Sequence, residues 1–294
     1  MIVVTAEVFG LCFGVRDALA VTREVARPQD VVVLGELVHN PQVRDELAAR
    51  GFGQLSETDR DAAPAAAAVM ITAHGISRRR RDELLSAGKT LIDTTCPLVR
   101  RVHEAADRLE RDGCRVIVIG RRGHVEVQGI VEDLHDPIIV EQVRDVTTWP
   151  EARLGIVCQS TCAPEDAESL RRAIVERNPQ ASVRMIDTIC QPTKDRRSAV
   201  DRLTAQVDAV VVVGGANSNN TRQLVELARR GGRPTFHIER AADLQSSWFI
   251  GVRRVGLTAG TSTLDETIDE VRRALESIET GDAASPTTCN ANRT

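Results

Sequence analysis

The chain of 294 residues contains no run approaching the roughly 20 consecutive apolar residues that a membrane-spanning helix needs, which argues against a helical membrane protein. It has no basic excess either. Lys and Arg number 38 against 42 Asp and Glu, a formal charge of -4, so the surface lacks the cationic field on which nucleic-acid binding depends. Neither a Walker A phosphate loop nor a Gly-x-Gly-x-x-Gly fingerprint occurs, and a nucleotide is not indicated. No Cys-x-x-Cys pair occurs, so a zinc site built from neighbouring residues is unsupported. The opening "MIVVTAEVFGLCFGV" is apolar but lacks a basic segment and contains Glu7, unlike a secretory leader. The expectation is a cytoplasmic protein. Lysine is nearly missing, with Lys89 and Lys194 alone among 38 basic residues, a bias given no functional meaning.

What is present is a core-forming composition, 42% hydrophobic, and seven cysteines at positions 12, 96, 114, 158, 162, 190 and 289. An odd number spread along a long chain favours a metal, a cluster or free thiols over a disulfide framework. Three of these cysteines recur in one context: an apolar strand, the Cys, then an amphipathic helix. The segments are "IVVTAEVFGLCFGVRDALAVTREVA", "TLIDTTCPLVRRVHEAADRLERDG" and "VRMIDTICQPTKDRRSAVDRLTAQ". Cys12, Cys96 and Cys190 are followed after 23, 24 and 24 residues by a strand ending in Gly35, Gly120 or Gly214. A second strand tip follows in "MITAHG", "GIVCQST" and "GLTAGTS".

Strands alternate with helix-period stretches throughout, as in parallel α/β units. The repeat therefore predicts an α/β fold of three lobes related by pseudo-threefold symmetry, each with a small parallel sheet. Lobe 1 spans 13–96, lobe 2 spans 97–189, and lobe 3 spans 190–278 together with the N-terminal strand 1–12. Residues 279–294 read as a disordered tail. Ligands of parallel sheets sit beyond the carboxyl ends of the strands, so threefold symmetry would bring Cys12, Cys96 and Cys190 to one central point. Helix N-termini favour thiolates there. Three buried core cysteines are the plain alternative; an iron–sulfur cluster with three protein ligands is the sharper one, since it leaves one iron open to substrate.

Read together, "FGLCFGVRDAL", "ELVHNPQVRDEL", "ITAHGIS", "DTTCPLV", "GRRGHVEVQG", "VCQSTC", "DTICQPTKDRRSAV", "GGANSNNTRQL" and "TAGTSTLDE" resemble the 4-hydroxy-3-methylbut-2-enyl diphosphate reductase family, in order, from residue 2 to about residue 277. The resemblance implies a 4Fe-4S cluster held by Cys12, Cys96 and Cys190. It implies removal of the allylic hydroxyl of (E)-4-hydroxy-3-methylbut-2-enyl diphosphate, with two electrons and two protons, to give isopentenyl and dimethylallyl diphosphates. Glu126 matches the proton donor, with Ser160 and His124 beside it in the catalytic set. His39, His74, His124, Ser160, Ser218, Asn219, Asn220 and Ser262 fall just past strand tips and match the substrate-binding set; imidazole, hydroxyl and amide donors suit a diphosphate. A ferredoxin or flavodoxin is the implied electron donor.

Four places depart from the family pattern. Ser160 stands for the usual threonine, Ser218-Asn219 for a serine pair, Thr263-Leu264 for a pair containing proline, and "VFGLCFG" lacks an arginine near Cys12. Two other readings are compatible with these residues: a divergent paralogue acting on another allylic diphosphate or hydroxylated substrate, and a non-enzymatic iron–sulfur sensor using Cys158 and Cys162. His103, His135 and His237 fall in helix or strand patterns and receive no role.

Overall fold

The computed structural model describes residues 1–278; the expected tail 279–294, with Cys289, lies outside the described residues. After a first strand, β1 (Ile2–Thr5), the chain passes three times through the same succession of elements. The first pass is α1 (Phe13–Glu24), β2 (Val31–Val33), α2 (Pro41–Ala49), β3 (Gly53–Gln54), β4 (Ala68–Ile71), α3 (Arg78–Ser86) and β5 (Thr90–Asp93). The second is α4 (Pro97–Arg111), β6 (Arg115–Ile119), α5 (Val125–Val131), β7 (Ile138–Val140), β8 (Arg153–Cys158), α6 (Pro164–Arg177) and β9 (Ser182–Met185). The third is α7 (Gln191–Thr204), β10 (Ala209–Val213), α8 (Asn219–Arg230), β11 (Thr235–Ile238), β12 (Arg254–Ala259) and α9 (Asp265–Ser277).

Three four-stranded parallel sheets result, with the orders β3-β2-β4-β5, β7-β6-β8-β9 and β11-β10-β12-β1. The order is the same each time, and β1 occupies in the third sheet the place of β5 and β9 in the others. The central strands carry continuous apolar runs because helices cover both faces; every residue of β10, "AVVVV", is buried. The helices carry apolar stripes of helical period. On α4 the stripe includes Val102, Ala105, Ala106 and Leu109, packed on Val116, Val118 and Val157. Each large aliphatic side chain so buried contributes about 1.5–3 kcal/mol.

Because all strands of a sheet run parallel, its three C-terminal turns gather at one end. Glycine at the first turn lets the helix beyond it pack close. A Cβ on Gly120 would lie 2.8 Å from Val127 and 2.9 Å from Gln159, and one on Gly214, at φ +151°, 2.5 Å from Thr221 Oγ1. His135, expected within regular structure, lies instead in the bend between α5 and β7. Among the described residues no helix is long and apolar enough to cross a membrane.

The first and third lobes are tied at these ends by Asn40. Its Oδ1 accepts from the N–H groups of Gln42 and Val43, capping α2, while its Nδ2 donates to the Ser262 carbonyl at 2.6 Å. Replacing it removes a helix cap and a buried interlobe bond together. Asn40→Ala is therefore expected to lower stability by about 1–3 kcal/mol, read as a fall in the urea midpoint at unchanged slope.

Candidate active site

The motif Asp-Thr-x-Cys, present as "DTTC" and "DTIC", explains how a cysteine is aimed. In lobe 1, Asp93 accepts the N–H of Thr95 at 2.9 Å and is paired with Arg100 at 3.0 Å and with Arg81. In lobe 2, Asp187 accepts the N–H of Ile189 at 3.1 Å and is paired with Lys194 at 2.5 Å. The threonines anchor these turns to the neighbouring strand: Thr94 Oγ1 donates to the Ile71 carbonyl and Thr188 Oγ1 to that of Cys158, both at 2.6 Å. Each turn delivers a cysteine to the N-cap of a helix.

Cys12, Cys96 and Cys190 cap α1, α4 and α7, and in none does the side chain bond to its helix as a cap. Their backbone N–H groups donate to equivalent carbonyls, of Thr261, Ala73 and Ser160, at 3.1, 3.1 and 2.9 Å. The three residues line one cavity of about 710 Å³, the Cys190 thiol also meeting Thr193 Oγ1 at 3.1 Å. Burial pushes the Cys96 thiol up, and that of Cys190 up to about 11, against the favourable pull of local hydrogen bonds. Metal coordination would remove those protons and supply the missing countercharge. Space is reserved for the sulfur: a Cβ on Gly14 would lie 2.5 Å from Cys96 Sγ. Three thiols from three lobes, none engaged with a partner thiol, fit a metal group that takes three protein sulfurs.

The same cavity is lined by His39, His74, His124, Glu126, Ser160, Ser218, Asn219, Asn220 and Ser262, so every residue singled out from sequence converges on it. Glu126, 1% exposed, lies in the first turn of α5. Its Oε1 accepts the Ser160 N–H at 2.6 Å and its Oε2 the Ser160 hydroxyl at 2.9 Å. Burial nevertheless dominates these two bonds and raises its pKa, favouring the neutral acid. His124 caps α5, its Nδ1 accepting the Glu126 N–H at 3.1 Å. Burial, with the nearby His39 and Arg121, lowers its pKa to about 3, so the ring is neutral and carries its proton on Nε2.

His39 and His74 stack with centroids 4.3 Å apart and planes 25° apart, and His124 meets both edge-on. Burial, then His39 and His124, hold His74 well below the ordinary imidazole range. His39 Nδ1 pairs with Glu36 at 2.8 Å. Ligand atoms of His39, Glu57 and His74 lie within 4.8 Å of one another. Lone pairs lie in the ring plane, however, so stacked rings send them side by side rather than toward one ion at the roughly 2.0–2.1 Å that nitrogen ligands require. An anion gripped by ring N–H groups suits this arrangement better than a cation.

Further donors face the cavity. The buried Asn220 Nδ2 and His74 Nδ1 have no hydrogen-bond partner, the usual mark of a polar ligand site. Ser218 Oγ accepts the Thr221 N–H as the cap of α8, leaving its own O–H to donate. Asn219 behaves differently from its expected role: its amide donates to Thr161 Oγ1 at 2.9 Å and to the Thr161 carbonyl, bracing the turn that carries Ser160. Its backbone N–H, in the first turn of α8, is what it offers a phosphate. The Ser262 hydroxyl donates to the His39 carbonyl at 3.1 Å. The start of α9, without a proline or side-chain cap, carries Asp265 and Glu266 in its first turn, which the helix dipole favours.

Sequence reasoning missed Arg196. Its buried guanidinium donates to the Gly10 carbonyl at 2.7 and 3.2 Å and places a positive charge near Cys12 and Cys190. Cys158 and Cys162 belong elsewhere: they sit in the apolar core of the second lobe with Ala167, Leu170 and Ile189. Their mutual contact and burial raise the Cys158 pKa, which suits that thiol to packing rather than to a reactive role.

Fold and site together define a three-lobed parallel α/β protein with a central pocket of three thiols, a buried acid and anion-binding donors. The chain belongs to the LytB protein family, whose model matches residues 3–276. It is 38% identical over 283 residues to a 4-hydroxy-3-methylbut-2-enyl diphosphate reductase of Methylibium petroleiphilum, covering 94% of this chain and 85% of that one. With the reductase of Aquifex aeolicus it shares 35% identity over 96% of this chain and 99% of the relative. Among solved structures, an (E)-4-hydroxy-3-methyl-but-2-enyl diphosphate reductase, described as the terminal enzyme of the non-mevalonate pathway, superposes with a TM-score of 0.66 at 34% identity, covering 94% and 99% of the two chains. The reductase of Plasmodium falciparum superposes with a TM-score of 0.86 at 26% identity, covering 99% and 95%.

The close approach of Gly14 to Cys96 yields a direct test. Gly14→Ala is expected to reduce the iron bound per chain at least about threefold after anaerobic reconstitution, with the far-UV circular dichroism unchanged. Full iron loading in that variant would show that the gap at Gly14 does not serve the thiol.

Proposed function

We propose that the chain reduces (E)-4-hydroxy-3-methylbut-2-enyl diphosphate to isopentenyl and dimethylallyl diphosphates and water, the last step of the methylerythritol phosphate route, in the cytoplasm and with electrons from a ferredoxin or flavodoxin. The observation that carries this reading is the meeting, in one cavity, of three unpaired thiols, a buried carboxylic acid and a set of partnerless anion donors. Cys12, Cys96 and Cys190 would hold a 4Fe-4S cluster, which when bound supplies single electrons and a Lewis-acidic iron open to the allylic oxygen.

The remaining residues divide the work between grip and proton. The diphosphate is held by the His39–His74 pair, Ser218, Asn220 and the N-terminus of α8, where N–H groups and hydroxyls converge. Stacking keeps the two rings side by side, so they present donors to two oxygens of one anion. Glu126 holds the proton that converts the hydroxyl into water. Its raised pKa favours the protonated form, and turnover falls as pH rises through the folded-state value. Ser160 fixes both carboxyl oxygens, while neutral His124 fixes the Glu126 backbone and points its Nε2–H away from that bond. Water is excluded by the walls of Val15, Val38, Val99 and Leu98.

The reading is tested anaerobically with the iron-loaded protein, a strong one-electron reductant and the hydroxymethylbutenyl diphosphate. Loss of substrate with formation of the two isomeric diphosphates is expected; no turnover by fully loaded protein would sink the reading. Within that assay, Glu126→Gln is expected to lower kcat by about 10²-fold or more with KM within a few-fold of the parent, and normal turnover in it would remove Glu126 as the acid.

A further inference from the structure

Among the described residues no arginine or lysine lines the thiol cavity. One arginine nevertheless lies behind its wall. Arg196, on α7, is 4% exposed, and its guanidinium grips the two chain segments that carry Cys12 and Cys190. Its Nε and Nη2 both donate to the Gly10 carbonyl, at 3.2 and 2.7 Å, two residues before Cys12. Its Nη1 donates to the Pro192 carbonyl at 3.0 Å, two residues after Cys190. One side chain thus joins the approach to the first thiol with the helix start that carries the third.

The backbone is shaped for this grip. Gly10 has φ +70°, the left-handed region that favours glycine, and a Cβ there would lie 2.8 Å from Ile268 Cδ1. The N–H groups of Gly10 and Cys12 hang the segment on the carbonyls of Ala259 and Thr261, while the Gly10 carbonyl is turned to Arg196. A guanidinium can fork onto that oxygen because its donors are coplanar and fixed, which an ammonium cannot do. All three bonds of Arg196 end on neutral carbonyls, and among the described residues no carboxylate pairs with it. Its neighbour Arg197, also buried, is by contrast paired with Glu165. A buried charge without an anion is costly. Burial accordingly draws the Arg196 pKa down, and the charges that oppose this are, in order, those of Cys12, Cys190 and Asp195. Asp195 is exposed and accepts from Gln191 instead.

We propose that Arg196 is a positioning residue whose fixed charge, locked by the Gly10 and Pro192 carbonyls beside two of the three thiols, raises the reduction potential of the metal group those thiols hold. A cation kept in a poorly hydrated wall favours the more negative, reduced state of a neighbouring redox group, and net charge and burial are the levers that set such potentials. Electron uptake is thereby eased without a cation in the cavity itself. The inference rests on Cys12, Cys96 and Cys190 holding an iron–sulfur cluster.

The test is an anaerobic redox titration of the iron-loaded parent beside Arg196→Met and Arg196→Lys, followed by visible absorption and electron paramagnetic resonance. At the parental midpoint the oxidised-to-reduced ratio of Arg196→Met is expected to be at least about tenfold higher, a shift of about 59 mV to lower potential for one electron, with Arg196→Lys, which keeps the charge, within about threefold of the parent. A parental midpoint in Arg196→Met, or an equal fall in Arg196→Lys, would overturn the proposal. Should Arg196→Met fail to keep iron, Arg196→Gln carries the same comparison. Iron kept by Arg196→Lys but by neither neutral variant supports the role of the charge; iron lost from Arg196→Lys as well overturns it. A parent that binds iron without a reversible one-electron step overturns the cluster assignment itself, whereas a parent that has this step beside unshifted variants overturns only the role of Arg196.

Discussion

Three backbone hydrogen bonds organise this molecule: Cys12 to Thr261, Cys96 to Ala73 and Cys190 to Ser160. Each hangs the start of one lobe's first helix on a strand tip of a neighbouring lobe, and each brings a thiol to the central pocket. Buried thiols are poorly solvated as anions, so the centre is electrostatically incomplete by itself. Arg196, packed under Gly10, is the cation the fold provides close by. The rest of the architecture, short strands, close glycine turns and interlobe bonds such as that of Asn40, serves to keep three separate helix starts within one pocket.

Much of this was legible in the chain because it is local and repeated. The apolar strands, each followed by a cysteine, and the near-constant interval to the next glycine recur three times, the Asp-Thr-x-Cys turn twice, and repetition converts weak signals into a fold. The sheet order follows from the α/β alternation, and the gathering of loops at the carboxyl ends follows from parallel pairing. The candidate residues were found for the same reason: they lie at strand tips.

What sequence did not reveal are contacts between tips. The amide of Asn219, expected to face a phosphate, is spent on Thr161, 58 positions away in sequence. Arg196 bonds a carbonyl 186 positions earlier. His103 reads as one more residue in a helical pattern, and only the packing of α4 against α5 brings it to Gly129. Cys158 and Cys162 flank Ser160 along the chain, which left a ligand or redox role open beside plain packing; both lie in the apolar core of the second lobe. The substrate, in turn, came from resemblance and the relatives' names; a set of donors specifies an anion but not its carbon skeleton.

The pairing of β1 with β12 has a consequence for how the protein is made. β1 finds its partner, Ile2 against Arg254, only once the residues up to β12 have been synthesised. Two lobes can close as they emerge, but the third remains with an open sheet edge and Cys12 stays out of position until β12 and Thr261 are made. Such long-range closure is slow, and an exposed edge invites mispairing while it waits. Completion of the three-thiol pocket is thereby deferred until β12 has been made, which couples the pocket to the closure of the last sheet.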